Sequence, residues 1–357
     1  MKKILLFLLL LLPCKILAYS SSATSTVLMD MDSLNVIYSN NSSTIRSVAS
    51  ISKIMTAIVA IENKGVSDIV TVGDEILSSY GSGVYIKQGE QLTLEDLLYG
   101  LMLRSGNDAA LAIAKYVGGD IENFVKMMNE KAIEIGMKNT TFNNPHGLDI
   151  NGGNLSTAYD MALLTSYAMK NDVYRKIVST KKYTLKTNMN YYSWTNKNKL
   201  LHSNSYITGG KTGFTDIAKR TLVTTASKDN INLVVVTLND GNDFSDHINL
   251  FNEAFSRLTN YRIIKKGNLN IIDETYYKND KLYIKNDFNY TSTNENHKVL
   301  LNYKLEKNRE YKNNDKVGVV EIYFDNKKIH EEDIFVLKGE EKLSFFEKVK
   351  AWFKKIW

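Results

Sequence analysis

Two short apolar runs, residues 26–29 and 36–38, flank a polar turn containing Asp30, Asp32 and Ser33, and together they predict a β-hairpin. The spacing then changes to threes and fours. Ile51, Ile54, Met55, Ile58, Val59 and Ile61 mark one face of a helix, Gly65 is placed to end it, and Ser50 falls at or just before its first turn. Thr93 with Asp96 three residues on predicts a capped helix start for the stripe Leu97, Leu98, Leu101 and Met102. The next helix begins at Asn107 or Asp108 and runs through Ala109, Ala110, Leu111, Ile113 and Ala114 to Gly118, so Ser105-Gly106-Asn107 is a tight loop between two buried helices. A further stripe from Ile121 to Ile133 closes at Gly136, and another follows Ser156-Thr157 through Met161, Leu163 and Leu164.

Beyond residue 210 the period shortens again. Thr221 to Ala226, a polar turn at Lys228-Asp229-Asn230 and the β-branched run from Ile231 to Leu238 read as antiparallel strands of one sheet. Helices packed on such a sheet give an α+β domain over residues 24–260. Residues 261–338 carry short strand patterns rich in Tyr, Ile, Val, Asn and Lys (282–284, 299–303 and 317–324), which predict a small all-β domain. Residues 340–357 put Leu343, Phe345, Phe346, Val349, Trp352, Phe353, Ile356 and Trp357 on one side of a helix and lysines on the other. That amphipathic helix suits a membrane surface, where acyl chains take the rings and anionic headgroups the lysines.

The opposite end has another pattern. Met1-Lys2-Lys3, the apolar run of residues 4–12 and the small residue Ala18 have the layout of a secretory signal peptide over residues 1–18; nine apolar residues are too few to span a bilayer, which takes roughly 20. The single cysteine, Cys14, lies within it, so a disulfide framework and a thiol nucleophile are excluded from the mature chain. Losing Lys2, Lys3 and Lys15 from 45 basic residues leaves 42 against 39 acidic ones, a net charge of +3 with no case for nucleic-acid binding. The five histidines show no metal-ligand spacing, and no cofactor is implied.

The chemistry resides in three short motifs. None is specific alone: Ser-x-x-Lys occurs at Ser50 and Lys53 but also at Ser179 and Lys182, and Ser-x-Asn at Ser33, Ser39 and Ser292 as well as at Ser105. Order and setting distinguish one set, in which Ser50-Ile-Ser-Lys53 opens a helix, Ser105-Gly-Asn107 forms an interhelical loop, and Lys211-Thr212-Gly213 enters a strand. A serine hydroxyl needs a base to attack a carbonyl, and a lysine three residues later on the same helix face can accept its proton if burial and positive neighbours lower its pKa. Lys53 is the candidate base. The N–H of Ser50 and that of Phe214 or Thr215 are candidate oxyanion donors. Lys211 and Thr212 fit a terminal carboxylate, and Gly209-Gly210 allow close backbone approach by a ligand.

This set resembles that of penicillin-binding proteins and serine β-lactamases. The stretches Ala49-Ser50-Ile-Ser-Lys53-Ile-Met-Thr56, Leu103-Arg-Ser105-Gly-Asn107-Asp-Ala-Ala110, Asn144-Pro-His-Gly-Leu-Asp149 and Gly210-Lys211-Thr-Gly-Phe-Thr215 are similar to the low-molecular-weight D-alanyl-D-alanine carboxypeptidases. The resemblance implies a penicillin-binding, β-lactamase-like domain followed by a β-rich domain, action on the peptidoglycan stem peptide, and covalent inhibition by β-lactam antibiotics. It implies that Ser50 is the nucleophile, Lys53 its base, Ser105 a proton-transfer partner, Asn107 a holder of the substrate amide, and Lys211, Thr212, Gly213 and Phe214 the carboxylate and substrate strand. A β-lactamase, a transpeptidase and a non-catalytic wall-binding protein are the alternatives. No Glu-x-x-Leu-Asn stretch lies between Asn107 and Lys211 to serve the first. Two positions depart from the family pattern: Asn154 stands where His is usual, and Lys219 where Gly is usual. Neither lies in the three motifs.

Overall fold

The computed structural model describes residues 19–339 apart from 272–273, 294–296 and 308–309. The signal segment and the amphipathic helix expected at 340–357 lie outside the described residues.

The chain divides into two compact units after Arg257. The first is built on a five-stranded antiparallel sheet. Its strands are β1 (Ser25–Asp30), β2 (Val36–Asn40), β3 (Ile207–Thr215), β4 (Lys219–Lys228) and β5 (Ile231–Leu238), in the order β2-β1-β5-β4-β3. β1 and β2 form the expected hairpin. The central β5 is apolar nearly throughout because both its faces are covered. Val234, Val236 and Leu238 join the main helical core with Val27, Met29 and Val223. Its other contact is the helix Asp243–Arg257, which buries Leu250, Phe251 and Ala254.

Around the main core lie the helices that position the chemistry. Lys53–Asn63 is buried along its first two turns and follows a short 3-10 turn, Ala49–Ser52. The Thr93–Asp96 capping box forms at the start of Leu94–Tyr99, and a wide π-turn, Gly100–Arg104, carries that helix down to Ser105. Ser105 adopts a left-handed conformation, φ 66°, which turns the chain sharply into the next helix, Asn107–Gly118. The loop between two buried helices is thus present, and one non-glycine residue in a strained conformation makes it.

The second unit begins at Leu258. Thr259–Ile264 pairs with Phe288–Ser292. A five-stranded antiparallel sheet takes the order Gly267–Leu269, Lys281–Ile284, Lys327–Leu337, Lys316–Phe324, Val299–Leu305. Val317, Val320, Ile322, Ile334 and Val336 are fully buried in its core.

Candidate active site

The first helix presents Ser50 and Lys53 on one side, as their three-residue separation requires. Ser50 makes no capping bond; the residue flanking its turn is Val48. Lys53 is fully buried. Its Nζ donates to Ser50 Oγ at 3.1 Å, to Asn107 Oδ1 at 2.7 Å and to the backbone carbonyl of His146. Asn107, 2% exposed, is the first residue of its helix and not its cap; its Nδ2 donates to the Tyr80 carbonyl at 2.6 Å. Ser105 is buried beside it and reaches the same cleft as Ser50.

The opposite wall is β3. A Cβ on Gly213 would lie 3.0 Å from the Ser50 N and 3.1 Å from the Ile51 N, so only glycine lets the strand run this close to the nucleophile turn. Thr212, Gly213 and Phe214 line the cleft, about 410 Å3 in volume, with Ser82, Lys197, Arg220, Asp243 and Phe244 completing it. Phe214 is 61% exposed at its mouth. Lys211 is buried, and its Nζ donates to the Thr212 carbonyl at 2.7 Å. A larger concavity, about 690 Å3, touches Met31, Asp32, Lys170 and Asn232 and holds none of these groups. Chemistry, not size, singles out the smaller one.

No carboxylate among the described residues hydrogen-bonds Lys53, and this shapes its proton affinity. Burial first, then the positive charges of Lys211 and Lys197, hold its pKa well below the ordinary lysine value, against a weaker pull from Asp108. Burial, with Lys197, also brings Lys211 down to about 7. The arrangement is a hydroxyl, a lysine whose proton is weakly held, a second hydroxyl and a cationic wall around one cleft. It can deliver an oxygen nucleophile to a carbonyl next to an anionic group.

The candidate residues Ser50, Lys53, Ser105, Asn107, Lys211, Thr212, Gly213 and Phe214 therefore come together in one place. The decoy Ser179 ends an outer helix and its bond is to Lys176, while Lys182 begins an exposed hairpin. One expectation fails. Gly209 and Gly210 make no room for a ligand: a Cβ on Gly209 would meet Val178 at 2.6 Å, and one on Gly210 the Val223 carbonyl at 2.1 Å. These glycines let the protein pack against itself.

Sequence reasoning missed four contributors. The His146 carbonyl holds Lys53, and a backbone acceptor carries no signature of its residue type. Lys197 reaches the cleft from a loop, and the Arg220–Asp243 pair, Nε to Oδ2 at 3.1 Å, from a strand and the start of a helix, with no local motif. Asp108 accepts from the N–H groups of Val84 and Tyr85 at 3.0 and 2.6 Å and so ties down the loop that carries Ser82. Its place beside Asn107 was the available signal.

Fold and site together have the arrangement of the penicillin-binding and β-lactamase-like class, a serine, a buried lysine and a lysine-bearing strand around one cleft. A profile of the D-alanyl-D-alanine carboxypeptidase family, Peptidase_S11, matches residues 15–242, and one of the penicillin-binding protein 5 C-terminal domain matches residues 259–342. The chain belongs to that family, as a low-molecular-weight penicillin-binding protein. It is 38% identical over 220 residues to D-alanyl-D-alanine carboxypeptidase DacF of Bacillus subtilis, covering 60% of this chain and 56% of that one. With DacC of Escherichia coli it shares 37% over 256 residues, 68% of this chain and 62% of the relative. The matched region thus spans somewhat more than half the length of these relatives. Among solved structures, the carboxypeptidase DacD of Francisella tularensis superposes with a TM-score of 0.67 at 25% identity, over 90% of this chain and 94% of that one. The Streptomyces K15 DD-transpeptidase gives 0.63 at 32% identity, over 66% and 98%.

Proposed function

We propose that this protein is a serine-type D-Ala-D-Ala carboxypeptidase that removes the terminal D-alanine from peptidoglycan stem peptides through an acyl-enzyme on Ser50. The observation that carries the proposal is the buried Lys53 ammonium nitrogen, 3.1 Å from Ser50 Oγ and hydrogen-bonded to no carboxylate among the described residues. Neutral Lys53 takes the hydroxyl proton as Ser50 Oγ attacks the carbonyl of the penultimate D-alanine. The oxyanion forms at the Ser50 N–H, across from β3. The C–N bond then breaks, Ser105 relays a proton to the leaving amine, and free D-alanine departs. Water attacks the ester, its proton returns by way of Lys53, and the shortened peptide leaves Ser50 restored. Asn107 holds the substrate amide while Lys211 and Thr212 take the terminal carboxylate. A β-lactam enters the same sequence and stays on Ser50 as the ester.

The same reading places the enzyme outside the cytoplasm on the bacterial membrane. The signal pattern of residues 1–18 and the amphipathic pattern of residues 340–357 support this; among the described residues no helix is long and apolar enough to cross a membrane. Membrane fractionation of the full chain against one ending at residue 339 tests the attachment.

The activity is tested by incubating the full chain with an acylated Lys-D-Ala-D-Ala peptide and measuring free D-alanine, with Ser50→Ala and Lys211→Ala alongside. Release that disappears in Ser50→Ala supports the reading. No release, with penicillin still bound covalently to Ser50, would replace it with a transpeptidase.

A further inference from the structure

Lys53 has its place set by three acceptors, and one of them, the His146 carbonyl, belongs to a loop with no regular structure of its own. Such a loop holds a carbonyl in position only if other bonds hold the loop. Asn144 closes it from within: its Oδ1 accepts from the Gly147 N–H at 2.6 Å, and its Nδ2 donates to the Leu148 carbonyl at 2.9 Å. From outside, buried side chains fasten it: the Thr56 hydroxyl donates to the Pro145 carbonyl at 2.6 Å, and Asn154 holds the loop's entry. Asn154, 1% exposed, accepts at Oδ1 from the N–H groups of Asn143 and Asn144 at 2.8 and 3.1 Å, and donates from Nδ2 to the Asn144 carbonyl at 2.9 Å. Two donors on one side and an acceptor on the other fix the orientation of the amide, and all its partners are backbone. The backbone of Asn154 does more: its carbonyl accepts from the Val48 N–H at 3.1 Å, two residues before the nucleophile. Gly147 at φ +86° lies so close that a Cβ there would be 2.1 Å from the Ala49 carbonyl. One asparagine thus joins the loop that holds the base to the strand that leads into the nucleophile.

We propose that Asn154 is a positioning residue for Lys53: its carboxamide fixes the 143–148 loop so that the His146 carbonyl keeps the Lys53 ammonium nitrogen over Ser50. Asn154 touches no substrate in this role and acts only through Lys53. The inference rests on the Ser50–Lys53 reading above, and it gives a purpose to the one departure from the family pattern whose side chain is buried.

Loosening the loop also has a predictable electrostatic sign. Water entering in place of the carbonyl keeps an acceptor on the ammonium while relieving its burial, and burial is the main cause of the low proton affinity of Lys53. The charged groups that act on Lys53, Lys211 on β3, Lys197 at the cleft mouth and Asp108 on the neighbouring helix, stay in place, and the His146 ring, which moves with the loop, is neutral. Without the clamp, the pH profile of acylation moves alkaline.

The test uses the full chain and a fluorescent penicillin, with second-order acylation rates from pH 5 to 10 and thermal melting of each variant. Asn154→Ala is expected to lose tenfold or more in acylation rate at neutral pH, with a profile displaced alkaline by half a unit or more. Asn154→Asp, which keeps the oxygen that takes both N–H groups but sets a second oxygen against the Asn144 carbonyl, is expected to lose less rate than Asn154→Ala. A purely structural role would lower the melting temperature while leaving the rate and profile of the folded protein unchanged, and that result overturns the proposal. Should Asn154→Ala not fold, Asn154→Ser, whose shorter side chain cannot hold all three backbone partners, takes its place, and an unshifted profile in that variant is equally fatal. Failure of the parent itself to be acylated removes the Ser50–Lys53 reading and this inference with it, whereas an acylated parent with unaffected variants removes the inference alone.

Discussion

Two lysines, one in each unit, are treated in opposite ways. In the first, Lys53 is fully buried among a carbonyl, an amide and a hydroxyl, with other cations as its nearest charges, and its proton is held weakly. In the second, Lys328 lies half exposed on the sheet, donating to Glu321 and Glu331 at 2.7 Å each, and those bonds raise its pKa. Glu321 in turn is brought down to about 2, by Lys304 first and then Lys328. One environment withholds a counter-charge and leaves the proton weakly held; the other supplies it and yields a surface clamp. Burial and partner, not residue type, separate chemistry from adhesion.

The largest expected break in this contrast comes from removing the bases themselves. Lys53→Met should slow penicillin acylation by about 10^3-fold or more, whereas Lys328→Met should leave it unchanged; a fluorescent penicillin assay reads both. Backbone substitutions come next. Gly147→Ala places a Cβ on the Ala49 carbonyl at φ +86° and should cost at least about 2 kcal/mol in urea unfolding. Gly267→Ala in the second unit, at φ +123° with open space around it, should cost roughly 1–2 kcal/mol.

A smaller effect follows from Lys197. Its charge lowers the proton affinity of both Lys53 and Lys211, so Lys197→Met should raise both. The acylation profile then moves alkaline, and Lys211 keeps its proton to higher pH. In the parent, with Lys211 at about 7, KM for the carboxylate-bearing peptide should rise as pH climbs past 7; in Lys197→Met that rise should start later. The smallest effect belongs to Glu321. Because its folded pKa is depressed, its contribution to stability is present above the unfolded value of about 4.5 and is lost as pH falls towards 2. Glu321→Gln should flatten that acid dependence in melting curves without changing acylation at neutral pH.

Much of the fold was legible because period and punctuation are local properties. The capping box at Thr93 and Asp96, the helix from Asn107 to Gly118 and the hairpin of β1 and β2 each follow from a few neighbouring residues, and each formed. The three motifs were legible too, since Ser50 and Lys53 share a helix face and Ser105 and Asn107 share a turn.

Sequence by itself determined which candidate side chains share a helix face, a turn or a strand, because spacing along a helix or strand converts directly into a shared face. Only the tertiary structure decided that Lys53 is buried beside cations instead of solvated, that Gly209 and Gly210 serve internal packing, and that Asn154 reaches back to the loop holding the base. Those outcomes depend on atoms brought together from distant parts of the chain, and on backbone carbonyls and N–H groups that every residue owns alike. Proton affinity and close approach are set by that assembled surrounding, which no local pattern encodes.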